Sequence, residues 1–70
     1  MKTKMKLRVA SAELTWTNDA GEQVAAGRVT EFEYEGESNS NTVVEGLAML
    51  TSQLEQNTLA DLRRRRGGAE

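Results

Sequence analysis

The feature that most constrains this chain is an alternation of apolar and polar residues on both sides of a short segment, NDAGE, at residues 18–22. Residues 4–17 alternate before this segment, and residues 22–35 alternate after it. A period of two residues is typical of a β-strand with one buried face. Gly21, the fourth residue of the segment, suits a type I turn followed by a G1 bulge. The sequence therefore predicts an antiparallel β-hairpin.

The alternation in the first strand slips by one residue at Ala10-Ser11. If Asn18 lies opposite Glu22, one extra residue at this slip, a β-bulge, keeps the apolar residues of both strands on one face. The predicted apolar pairs are Trp16 with Val24, Leu14 with Ala26, Val9 with Thr30, Leu7 with Phe32, and Met5 with Tyr34.

The other face of the hairpin carries basic residues on the first strand and glutamates on the second. Each cross-strand pair of opposite charge contributes about 0.2–1 kcal/mol. Together such pairs fix the register, because a slip by one residue moves every apolar side chain to the wrong face. The alternative interpretation is that these are ordinary solvated strand residues. The predicted pairs are Arg8 with Glu31, Lys6 with Glu33, and Lys4 with Glu35.

A helix is predicted after the polar loop GESNSN at residues 36–41. Thr42 and Glu45 fit a capping box at its N-terminus. Gly46 is unfavourable in a helix interior, and close approach of the helix backbone to the sheet explains its presence. An apolar stripe follows at Val43, Leu47, Leu50 and Leu54.

The apolar stripe fails at Asn57 and Asp61, and two alternatives remain open. Either the helix breaks near Asn57, with Asp61 in the first turn of a second short helix, or one long helix has a second contact face. Arginines at residues 63–66 suit a helix C-terminus. The prediction is therefore one α+β domain of order ββα at residues 1–66, followed by a disordered tail at residues 67–70.

A chain of seventy residues forms only a small core. On folding, it buries roughly 60% of the surface that the unfolded chain exposes. The chain has no Cys and no His, so it lacks disulfides and the usual zinc, iron and copper ligands. Both edges of a two-stranded sheet are open to pairing. We therefore predict a homodimer with hairpins joined edge to edge, the alternative being strand addition to a different protein. The predicted self-association residues are Val44, Ala48, Leu59 and Leu62.

The residue types in this chain argue against a catalytic or phosphate-binding site. A row of glutamates on one strand face rarely forms an acid/base pair, and the glycines fit no phosphate-binding spacing. We expect no enzymatic activity, no cofactor, no metal site and no small-molecule substrate. No apolar run is long enough to span a membrane, and the absence of Cys suits a cytoplasmic location.

The chain is therefore interpreted as a small non-enzymatic protein–protein interaction module. It would be a homodimeric accessory, regulatory or inhibitory factor of microbial or viral (phage) type, binding itself, another protein, or both. One alternative is a nucleic-acid-binding module that uses the arginine cluster against phosphates. Another is a structural subunit of a larger assembly. The predicted partner-binding residues are Glu31, Glu33, Glu35, Arg63, Arg64, Arg65 and Arg66.

Overall fold

The computed structural model describes residues 3–66 and shows a β-hairpin followed by one helix. Strand β1 spans Lys4–Thr17, strand β2 spans Gln23–Glu37, and helix α1 spans Ser40–Arg66. The two strands form an antiparallel two-stranded sheet, so the predicted ββα architecture of the α+β class is confirmed. The tail predicted at residues 67–70 lies outside the described residues.

The hairpin turn has the predicted form. The Gly21 N–H donates to the Asn18 carbonyl at 3.0 Å, and the Asn18 N–H donates to the Glu22 carbonyl at 2.9 Å. Gly21 has a φ of 82°, a left-handed conformation that favours glycine. The Asn18 side-chain oxygen also accepts hydrogen bonds from the N–H groups of Ala20 and Glu22. This geometry is that of a type I turn closed by a G1 bulge.

The register beyond the turn differs from the predicted one. A shift of one residue lies between Trp16 and Thr17, next to the turn, and the pairing keeps one register on both sides of Ala10-Ser11. The predicted apolar pairs are therefore wrong by one residue near the turn and by two residues beyond the middle of the strands. The observed pairs are Trp16 with Ala25, Leu14 with Gly27, Val9 with Phe32, Leu7 with Tyr34, and Met5 with Gly36.

In both strands, and not in β1 alone, the helix-side residues change from odd to even numbers near the middle of the hairpin. On β1 the residues that face the helix side have odd numbers up to Val9 and even numbers from Ala12. On β2 they have odd numbers up to Val29 and even numbers from Phe32. Because the two slips lie opposite each other, each apolar residue still meets an apolar position, and no single-residue bulge is needed at Ala10-Ser11.

We call these four central residues, Ala10, Ser11, Thr30 and Glu31, the phase switch. Ser11 pairs with Thr30 within it. Glu31 has a φ of 55°, which is uncommon for a residue other than glycine, and no other non-glycine residue of the described part of the chain has a positive φ. The irregular backbone that reverses the side-chain phase of β2 is therefore located at Glu31.

The charge pairs on the outer face follow the observed register. Arg8 lies opposite Glu33 and Lys6 opposite Glu35, so the predicted cross-strand positions are displaced by two residues. The predicted ion pair of Lys6 with Glu33 nevertheless forms as a diagonal contact. Glu33 receives both cations, with Arg8 Nε at 3.4 Å and Lys6 Nζ at 3.8 Å from its two carboxylate oxygens. These exposed ion pairs each contribute about 0–1 kcal/mol.

Helix α1 is continuous through Asn57, which decides between the two alternatives left by the sequence. It begins at Ser40, and the side-chain oxygen of Asn39 caps it by accepting the Thr42 N–H at 3.0 Å. The predicted capping box at Thr42 is therefore wrong. Thr42 lies inside the first turn, and its side chain is buried against Gly36.

The helix face that contacts the sheet differs from the predicted apolar stripe. Val43 and Leu47 of that stripe are 45% and 49% exposed. Gly46 lies close to the Tyr34 ring, which confirms the predicted close approach of the helix backbone to the sheet. The buried and half-buried residues instead follow one row at a spacing of four residues, a ridge common in helix packing. Leu50 and Leu54 of the predicted stripe belong to it, and the buried Asp61 lies beside it. The row consists of Thr42, Gly46, Leu50, Leu54, Thr58 and Leu62.

The closest approach between helix and sheet is at Gly27, and it gives a test of the packing. A Cβ at this position would lie 2.0 Å from Thr58 Oγ1 and 2.9 Å from the Leu54 carbonyl oxygen. Gly27→Ala is expected to lower the free energy of unfolding by roughly 1–3 kcal/mol, the usual cost of overpacking, as measured by denaturant titration. Adding Thr58→Ala should restore only part of this loss, because the helix carbonyl remains. Unchanged stability in Gly27→Ala would contradict the described packing.

Candidate protein interface

Helix α1 covers only half of the apolar face of the hairpin. It packs over β2 and barely touches β1. Among the hydrophobic residues of the described chain, only Ala25 and Val29 are buried, and both belong to β2. Trp16 of β1 is 60% exposed. The other helix-side apolar residues of β1 are half-buried, so the apolar side of β1 is most open at the turn end.

A groove of about 1010 Å³ lies between β1 and α1 at the turn end of the hairpin. One wall is formed by β1 and the other by the C-terminal half of α1. Arg65 and Arg66 also line the groove. We call its large apolar residues the open apolar surface, and they are Leu14, Trp16, Leu54, Leu59 and Leu62.

The residues predicted for self-association lie on one flank of α1. Helical spacing places Val44 and Ala48 on the same flank as Leu59 and Leu62. Leu59 and Leu62 line the groove, and Val44, at 66% exposure, continues the apolar flank toward the helix N-terminus. The structure thus brings these residues to one side of the helix, and their role in self-association remains a prediction.

Polar side chains of α1 occupy the outer edge of β2 in the half nearer the turn. The Ala26 N–H donates to Asp61 Oδ2 at 2.8 Å, and Asn57 Nδ2 donates to the Arg28 carbonyl at 2.8 Å. These backbone groups of β2 point away from β1, as they do at an unpaired sheet edge. The helix side chains therefore occupy the positions that a further strand would use on this edge.

Asp61 is the centre of this closure, and it was not among the predicted site residues. Its side chain is buried, and the guanidinium groups of Arg64 and Arg65 both donate to its carboxylate. Arg65 also donates to the Gln23 carbonyl at 3.1 Å. The sequence signal was an acid followed by arginines three and four positions later, located where the apolar stripe fails. The placement of Asp61 in the first turn of a second helix was wrong, because α1 is unbroken.

The surroundings of Asp61 favour its charged form. The hydrogen bond from the Ala26 backbone N–H lowers the pKa of Asp61, burial opposes this effect, and the charges of Arg65 and Arg64 lower the pKa further. The net pKa lies below the ordinary value. The folded state therefore binds a proton at Asp61 less readily than the unfolded chain does.

The predicted partner-binding residues fall into two separate groups. Glu31, Glu33 and Glu35 are exposed on the strand part of the hairpin distant from the turn. The arginines at residues 63–66 lie at the turn end, where Arg65 contacts Gln23. Arg64 and Arg65 form ion pairs with Asp61. Arg63 and Arg66 are exposed and form no ion pair with any of the described residues.

Neither a metal centre nor a membrane span is found in residues 3–66. Their acidic side chains form no group of three or more that could hold a metal ion. Their helix does not combine the length and the apolar character that crossing a bilayer requires.

Asp61→Asn tests the electrostatic role of Asp61. The pKa of Asp61 is lowered on folding, so its stabilising effect is complete above the unfolded pKa of about 3.9 and is lost as the pH falls through the folded pKa. We expect Asp61→Asn to lower the melting temperature by several degrees at neutral pH and by less in acid. Thermal unfolding across this pH range measures the difference. Asp19→Asn in the exposed turn is the matched control, and a difference that does not change with pH would contradict the assignment.

Comparison with known proteins adds no functional assignment. No protein-family model, no curated protein and no solved structure matches this chain. The case for a function therefore depends on the open apolar surface and on the sheet edge beside it.

Proposed function

We propose that this chain is a small non-enzymatic protein–protein interaction module that binds through its open apolar surface. The observation that carries this proposal is the exposure of large apolar side chains on both walls of one groove, Trp16 at 60% and Leu59 at 40%. Contiguous exposed apolar patches on small proteins mark interaction sites. Trp is also among the residues enriched at the centres of protein interfaces.

The outer edge of β1 adds directional recognition to this surface. Side chains of α1 bond to the edge of β2, and no hydrogen bond among the described residues joins α1 to β1. An open strand edge binds another strand through its backbone N–H and C=O groups. A partner that fits would therefore supply a β-strand to this edge and apolar side chains to the groove.

A protein that has a binding surface but no set of catalytic residues acts by binding to its partner and covering part of the partner's surface. Accessory, regulatory and inhibitory factors work in this way, and we assign the chain to this class. The engagement of Arg64 and Arg65 by Asp61 supports a structural role for much of the arginine cluster. Protein binding is therefore better supported than nucleic-acid binding. The cytoplasmic location stays a prediction.

Leu59→Glu tests this proposal, with Ala60→Glu as the matched control. Both residues are exposed on α1, but only Leu59 lines the groove. Immobilised wild-type chain and Ala60→Glu should retain the same proteins, the free chain included. Leu59→Glu should retain them at least about tenfold more weakly, because a carboxylate buried without a partner costs more than about 1.4 kcal/mol.

The measurement is retention of the purified chain and of proteins from a lysate of the source organism, with circular dichroism to check that each variant is folded. The proposal is wrong if the wild-type chain retains nothing, itself included. It is also wrong if Leu59→Glu and Ala60→Glu retain the same proteins to the same extent.

A further inference from the structure

We propose that the partner at this surface is a second copy of the chain, joined by antiparallel pairing of β1 with the partner's β1 about a two-fold axis between Ala10 and Ser11. This inference rests on the proposed function and names its partner. The product is a four-stranded sheet in the order β2, β1, partner's β1, partner's β2, with both helices on one face.

The choice of edge follows from the position of the helix. Asp61 and Asn57 occupy outward-pointing backbone groups of β2, so a strand that approached β2 would have to displace them. The less covered part of the apolar face also lies over β1, with Trp16 as its most exposed residue. Pairing through β1 therefore joins the open edge and the open face of one protomer to those of the other.

The phase switch makes β1 complementary to itself. Pairing about the proposed axis puts residues 4–9 of one strand beside residues 12–17 of its partner. Because helix-side residues have odd numbers in the first half and even numbers in the second, each of them meets a helix-side residue. An axis placed on either central residue would set helix-side against outer-face residues. The matched pairs are Val9 with the partner's Ala12, Leu7 with the partner's Leu14, and Met5 with the partner's Trp16.

The backbone hydrogen-bonding groups match in the same register. The backbone N–H of Ala26 and C=O of Arg28 point away from β1, so their cross-strand neighbours Thr15 and Glu13 direct their own groups away from β2. At the other end, the Ser38 N–H donates to the Thr3 carbonyl at 2.9 Å. Inward-pointing and outward-pointing backbone groups alternate along a strand of the sheet. In the N-terminal half of β1, the residues whose backbone N–H and C=O groups point away from β2 are therefore Lys4, Lys6 and Arg8.

These two sets of outward-directed residues face each other across the proposed axis. Each of the resulting pairs has the geometry of a hydrogen-bonded antiparallel pair, so the ladder continues from one protomer into the other. The pairs are Lys4 with the partner's Thr17, Lys6 with the partner's Thr15, and Arg8 with the partner's Glu13.

Charges on the outer face are complementary across the same axis. Within a chain, Arg8 lies opposite Glu33, and Glu13 lies opposite Arg28. The proposed pairing sets Arg8 beside the partner's Glu13. Across the four strands the charges then run Glu33, Arg8, the partner's Glu13 and the partner's Arg28, so that their sign alternates, and the two-fold axis repeats this row.

The dimer also covers the exposed apolar residues. Trp16 gains the partner's Met5 as a neighbour on its open side. The two copies of β2 lie three strand spacings apart, about 14 Å, which places the helices far enough apart for a layer of large side chains between them. Leu59 and Leu62 of one helix then face the N-terminal half of the other, where the partner's Val43 and Leu47 are exposed.

Complementary charge reversal tests the pairing. Arg8→Glu alone sets two carboxylates beside each other across the axis twice per dimer, and Glu13→Arg alone sets two guanidinium groups there. We expect each variant alone to self-associate at least about tenfold more weakly than the wild-type chain. A mixture of the two variants restores both cross-axis pairs without altering contacts within either chain. Sedimentation should show the mixed dimer at close to wild-type affinity, and a mixture as weak as its components would overturn the proposal.

Cysteine cross-linking tests the register, and the chain has no Cys of its own to interfere. Lys6→Cys and Thr15→Cys are exposed positions on the outer face. Under mild oxidation, a mixture of these two variants should form the disulfide-linked dimer at least about tenfold faster than Lys6→Cys mixed with Thr17→Cys, which is two residues out of register. Neither variant alone should cross-link, because its two copies would lie about 30 Å apart. Equal rates for the two mixtures would overturn the register.

Failure of this inference is distinguishable from failure of the proposed function. A chain that stays monomeric at all concentrations, yet retains another protein in a Leu59-dependent manner, overturns the homodimer and leaves the interaction module standing. A monomeric chain that retains no protein overturns both.

Discussion

The hydrogen bond from the Ala26 N–H to the buried carboxylate of Asp61 decides how the hairpin and the helix are joined. It attaches α1 to the outer edge of β2, and Asn57 makes a second attachment at the Arg28 carbonyl. A helix held there lies over one strand instead of between two. The closing of one edge and the opening of the other therefore have the same physical cause.

The second constraint is the phase switch at the middle of the hairpin. Within one chain, the slips in β1 and β2 compensate each other and keep one apolar face. The same slip gives β1 two halves of opposite phase, and a strand with this property matches its own copy when turned end for end. In the proposed dimer the slip at Ala10-Ser11 serves association, and the irregular backbone at Glu31 lets β2 follow that slip within the single chain.

The alternating pattern was sufficient to predict both strands, the G1-bulge turn and the ββα order, because these depend on local periodicity and turn chemistry. The register was mispredicted because small residues conceal the phase of β2 on the turn side of its slip at Thr30-Glu31. Ala25 and Gly27 are the buried residues in this part of β2. Val24 and Ala26 have even numbers, as Phe32 does, so the sequence suggested that they share its face of the sheet. The helix face was mispredicted for a related reason. Thr42, Gly46 and Thr58 contact the sheet because they let the backbones approach, and the larger Val43 and Leu47 remain exposed.

The most direct test of this account is amide hydrogen exchange, resolved by residue, as the chain is concentrated. The Ala26 amide, held by Asp61, should be protected at every concentration. The Glu13 and Thr15 amides, on the open edge of β1, should exchange fast in dilute solution and become protected as the protein associates. The account is contradicted if the β1 amides exchange equally fast at all concentrations, or if the Ala26 amide exchanges as fast as they do.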